Sequence, residues 1–140
     1  MANNAPCGAS NLWGVFTVIE MRLAEPVQLD QNRLVEIVAR LGARGADDLI
    51  SQTIEELAIL LANVQKAHSA GHFHETEQVA MKIRQLAAHV GMPVLSSVAQ
   101  DVAGSAKSTD AVATAATFAR LSRCGEASLL KIWDLQGQSM

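Results

Sequence analysis

Ile50, Ile54, Leu57, Leu61 and Val64 recur at spacings of 4, 3, 4 and 3, the repeat of one face of an α-helix. Gln52, Glu55, Glu56 and Asn63 fall largely outside that face, which predicts an amphipathic helix from about Asp47 to His68, reversed at Ser69, Ala70 and Gly71. The same period returns elsewhere. Leu34, Ile37, Val38 and Leu41 follow Asp30, a good N-cap, and Gly42 is a natural stop. Phe73, Ala80, Ile83, Ala87 and Val90 mark a helix that starts near His72 or Phe73 and closes at Gly91. Pro93 suits the first turn of another, with Val94 or Leu95, Val98, Val102 and Ala106 facing inward. Thr109 or Asp110 can cap a last helix carrying Ala115, Phe118, Ala119, Leu121, Leu129, Leu130 and Trp133, with Gly125 a place for a kink. No segment has a convincing period of two, and no internal repeat is present.

Connections this short make successive helices antiparallel neighbours. The expected fold is therefore all-α: an up-down four-helix bundle over residues 27–135, preceded by one or two additional short helices. Aromatic residues are only 4% of the chain and tyrosine is missing, so the core must be aliphatic, a palette that favours helix-on-helix packing. With 140 residues one domain can bury enough surface to stand without a disulfide or a metal. Residues 1–10 are small and polar without periodicity and are expected to be a disordered tail. Residues 11–26 form an apolar arm or short helix. Trp13, Phe16, Val18 and Ile19 would be costly to expose there, and the arm can either cross the bundle or pair two copies into a homodimer.

A formal net charge of −3 gives no general attraction to nucleic acid or to anionic membranes. The apolar run Leu12 to Val18 is too short to span a bilayer and has no basic region before it, so a cytoplasmic protein is expected. Cys7 and Cys124 are far apart and form no CxxC pair, consistent with free thiols. His68, His72 and His74 cluster near one turn, but their spacing matches no strong zinc pattern. Neither metal nor cofactor is expected. Gly-rich phosphate loops, G-x-S-x-G and H-E-x-x-H are all missing, and the adjacent pairs Asp47 and Asp48, Glu55 and Glu56 point to different helix faces.

One segment says more. From Val79 the chain reads VAMKIRQLAAHVGMPVL. This resembles the signature of the histidine-containing phosphotransfer family: Ala-His-x-(Leu/Ile)-Lys-Gly, then five residues, then Gly and an apolar residue. Ala80, Ile83, Gly91 and Met92 fall on matching positions, and Arg84 replaces the Lys with its charge kept. Met81 stands where that family has its phosphorylated histidine, and Gln85 where it has a glycine. The resemblance covers roughly Val27 to Trp133, because the Asp-capped helix, glycine turn and long helix that come first also look like the start of such domains.

The resemblance implies a module of two-component phosphorelays whose partner is a response-regulator receiver domain or a sensor kinase. Phosphotransfer requires a neutral imidazole, which an ordinary pKa of about 6.5 supplies. A thioether has no proton to lose, so Met81 cannot carry the phosphoryl group, and a non-catalytic binding or regulatory role follows. With Ala80, Ile83, Ala87 and Val90 taken as the inward direction, Met81 lies roughly 140° away and Gln85 almost opposite. His74, Gln78, Met81, Gln85, Ala88 and His89 then form an outward stripe. With Arg84, they are the expected partner-binding face. Two other readings remain at this point: an active phosphocarrier using His89 or His74, and a structural bundle that dimerises through the arm.

Overall fold

Asp30 caps the first helix: its carboxylate accepts the backbone N–H groups of Asn32 and Arg33 at 3.1 and 3.3 Å. The computed structural model describes residues 29–138, with side chains described over 29–134. The expected tail and arm, residues 1–10 and 11–26, lie outside the described residues. Four helices follow, α1 Gln31–Ser69, α2 Phe73–His89, α3 Pro93–Lys107 and α4 Ala111–Gln138, with no strand among the described residues.

The sequence predicts a helix ending at Gly42 and another starting near Asp47. The backbone does break there: α1 is two helical segments meeting at a kink at Gly42, whose φ of 77° and ψ of 171° are non-helical, and the second begins directly after it rather than near Asp47. Only glycine takes that conformation readily. It breaks direction for one residue, and the helix formers that follow, with Ala46 buried, resume at once.

The three reversals share one construction. After α1, the N–H groups of Gly71 and His72 donate to His68 O and Ala67 O, both at 3.0 Å. After α2, Gly91 and Met92 donate to Ala88 O and Ala87 O at 3.4 and 2.9 Å. After α3, Thr109 and Asp110 donate to Ala106 O and Ser105 O at 3.0 and 3.3 Å. Each is a Schellman closure, which needs a left-handed residue just past the helix. Glycine fills the first two places, as the sequence suggests. Thr109 fills the third at φ 52°, a strained choice for a β-branched residue. Asp110 then caps α4, its carboxylate accepting Ala113 N–H at 3.0 Å.

The helices pack in sequence order, α1 on α2, α2 on α3 and α3 on α4, and α1 also meets α4. The α2–α3 pair is the most extensive, because both helices turn small side chains toward the core: Ala80 and Ala87 from α2, Ala99 and Ala103 from α3. Leu57 and Val64 of α1, Ile83 of α2, Leu95, Val98 and Val102 of α3, and Leu121 and Ile132 of α4 fill the space between. Gly125 does not kink α4. It admits Leu61 of α1, whose Cδ1 would lie 2.9 Å from an added Cβ. The buried hydroxyls of Thr53, Thr76 and Thr114 are each satisfied by the carbonyl one turn earlier. The sequence-based inner faces hold for α3, while in α1 only Ile37 of the first predicted set is fully buried. Leu130 and Trp133 of α4 are exposed. No helix among the described residues is long and apolar enough to cross a membrane.

Two glycines separate conformation from space. Gly91 has φ 78°, and a Cβ there would sit 3.1 Å from Asp30 O and 3.3 Å from Arg33 Cβ, whereas Gly104 is helical with open space around it. Gly91→Ala is expected to destabilise by about 2 kcal/mol and Gly104→Ala to stabilise by about 0.5–1 kcal/mol. Urea unfolding of the two variants reads both signs.

Candidate functional site

Helix α2 is the element on which the sequence places the functional residues, and its surroundings decide what they can do. Thr76, Ala80, Ile83 and Ala87 are buried, which fixes the inward direction close to the predicted one. His74, Gln78, Gln85, Ala88 and His89 are exposed. Met81 and Arg84 are not fully outward: both are half-buried, and Met81 packs against the core cluster. This corrects the expected continuous stripe. Ala88 shares nearly the direction of Met81, within roughly 20° around the helix, yet stays exposed. The difference is reach. An unbranched thioether chain bends back onto the core edge, while a methyl group cannot.

The outer surface of α2 is therefore a ridge with a depression on each side. Toward α1, an open groove of about 440 Å³ has Ile59, Leu60 and Leu86 on its apolar floor and Lys82, Gln85 and His89 beside it. Toward α3, a more polar hollow of about 660 Å³ sets Met81 and Arg84 across from Gln100, Asp101 and Lys107. Met81 also lines a third depression, with His74 and Gln78. The seven expected face residues are thus near one another but divided. Gln85 and His89 face the α1 groove, Met81 and Arg84 the α3 hollow. Arg84 Nε is shielded from solvent without a hydrogen-bond partner, while its backbone carbonyl accepts Ser96 Oγ–H of α3 at 3.0 Å.

The histidines are dispersed. His68 stacks on Phe118 of α4, with ring centroids 4.4 Å apart. His72 Nδ1 is 3.2 Å from a Glu75 carboxylate oxygen. His74 Nδ1 is 3.8 Å from Glu77, and its Nε2 is 3.0 Å from the Gln78 amide nitrogen. Among the described residues, no group of three or more His, Cys, Asp or Glu side chains is gathered to hold a metal ion. The His89 ring lies on the α1 groove, and its backbone carbonyl accepts Arg33 Nε–H at 2.8 Å.

Sequence reasoning misses the α1 side of the site. Ile59 is exposed despite being apolar and lies off the inward repeat of its helix. Its break from the pattern is the available signal. What the arrangement offers chemically is contact surface: an apolar floor, amide and imidazole groups at the ridge, and the half-buried thioether of Met81. No protein-family model, curated protein or solved structure matches the chain.

The facing of α2 can be tested by placing a carboxylate on each side. Ile83→Asp buries an unpaired charge in the core and should destabilise by about 3 kcal/mol or more. Gln85→Asp, on the exposed ridge, should change stability by no more than about 0.5 kcal/mol. Thermal melts of both variants check the contrast.

Proposed function

We propose that this chain is a degenerate histidine-phosphotransfer-like module, an up-down four-helix bundle that binds a receiver domain or a sensor kinase through α2 without passing phosphate on. The observation that carries the reading is Met81 in the middle of α2, at the edge of the helix's open surface, in the motif position of a phosphorylated histidine. The motif's second glycine supports the same alignment, since Gly91 occupies a left-handed turn against the start of α1. The apolar groove toward α1 supplies a floor for a partner helix.

The chemistry follows from the side chains. Attack on a phosphoryl group at position 81 would leave a phosphorylated sulfonium, with no proton to release and no stable product. Gln85, one turn on, adds an amide side chain where the family pattern has a bare glycine, so a partner must dock around it. A bound partner is therefore held, competed for or sequestered. His89, exposed beside the same groove, is the residue on which a displaced transfer activity would rest.

The test mixes the full chain with receiver domains from the same cell, phosphorylated with labelled phosphate. Binding without stable label on the chain is expected, and Met81→His alone should remain unlabelled because Gln85 still occupies the approach. Acid-labile label on His89 or His74, abolished by the matching alanine substitution, would replace this reading with an active phosphocarrier. Failure to bind any receiver or kinase would remove it altogether.

A further inference from the structure

The first segment of α1 buries Ile37 but leaves a second strip of apolar surface uncovered. Leu34, Val35, Val38 and Leu41 occupy an arc of roughly 120° around it, while Arg33, Glu36 and Arg40 lie on the other side. Ile37 and the half-buried Arg33 meet the rest of the fold, Arg33 Nε reaching His89 O and its Cβ lying beside Gly91, while Glu36 and Arg40 are exposed. Leu34 is half-buried, and the other three apolar side chains of the arc face outward. Val35 is 66% exposed, Val38 46% and Leu41 52%, although consecutive apolar turns of this kind are normally covered. No charged residue interrupts the arc.

We propose that this face is the docking site of the chain's own residues 12–23, the segment LWGVFTVIEMRL. Three observations select that occupant. The segment lies outside the described residues and leads directly into α1. It carries Trp13, Phe16, Val18 and Ile19, apolar groups that match a face with no charge to pair. The connection is also of the right length: the six Cα-to-Cα steps from Leu23 to Leu29 reach about 20 Å when extended. The face from Leu34 to Leu41 is only about 10 Å long. Docking in cis costs no association entropy, which favours it over the same contact made with a second copy. Residues 12–23 thereby complete the part of α1 that the four helices leave open.

The test uses the full chain with Cys7→Ser and one reporter cysteine, since Cys124 is buried. Val38→Cys and, in parallel, Val35→Cys are compared with Val112→Cys, a site 82% exposed at the start of α4. Labelling by a water-soluble thiol reagent should be at least tenfold slower at 38 and 35 than at 112. Adding Trp13→Asp with Phe16→Asp should restore the fast rate, with helix content by circular dichroism unchanged and the protein monomeric in sedimentation. Equal labelling at all three sites without the aspartates would overturn the proposal. So would slow labelling that survives the aspartates, or protection that disappears on dilution, which would assign the face to a second copy.

Discussion

The fold is pinned where the start of α1 meets the end of α2. Asp30 donates its backbone N–H to Gly91 O at 2.7 Å, and Arg33 Nε donates to His89 O at 2.8 Å. His89 O is a carbonyl that the end of α2 leaves without an intrahelical partner, and Gly91 O lies in the turn that follows. A guanidinium at that end also complements the helix dipole. Residues 56 positions apart in sequence are thereby set side by side, and the Schellman turn at Gly91 delivers α3 onto α2. If this joint opened, α2 would lose the position from which its outer ridge separates the two depressions.

From that joint the functional surface follows with few choices. Small residues on α2 and α3 bring those helices close, and a polar hollow runs beside the half-buried Met81 and Arg84. On the other flank, toward α1, lies the groove floored by Leu60 and Leu86. The outer surface of α2 is consequently asymmetric: more polar toward α3, apolar toward α1. The proposed binding role rests on this surface and on the thioether of Met81 at its edge.

Much of the fold was legible because local chemistry and global fold agree. Asp30 and Asp110 cap, Gly71 and Gly91 turn, Pro93 opens α3, and the repeat through Leu57 and Val64 points inward. Departures arise where a residue answers to something distant in sequence. Gly125 looked like a kink but is a clearance for Leu61 of α1. Thr109 takes a glycine's conformation, which no propensity suggests. Gly42 does end one helical segment, but the next resumes at once instead of near Asp47, because the residues that follow it are good helix formers. At the site, angular position suggests an outward Met81, but its side chain is half-buried against the core, because an unbranched chain can fold back where a short one cannot. The α1 contribution through Ile59 depends on which helices become neighbours, and a single helix's pattern does not contain that.

The central claim is that α2 is a docking helix stripped of its chemistry. The most direct measurement is amide chemical-shift mapping of the full chain during titration with an unphosphorylated receiver domain. The account predicts shifts concentrated on Gln78, Gln85, Ala88 and His89 and across the groove on Ile59 and Leu60. Shifts confined to the α3 and α4 surfaces, or none at all, would contradict it.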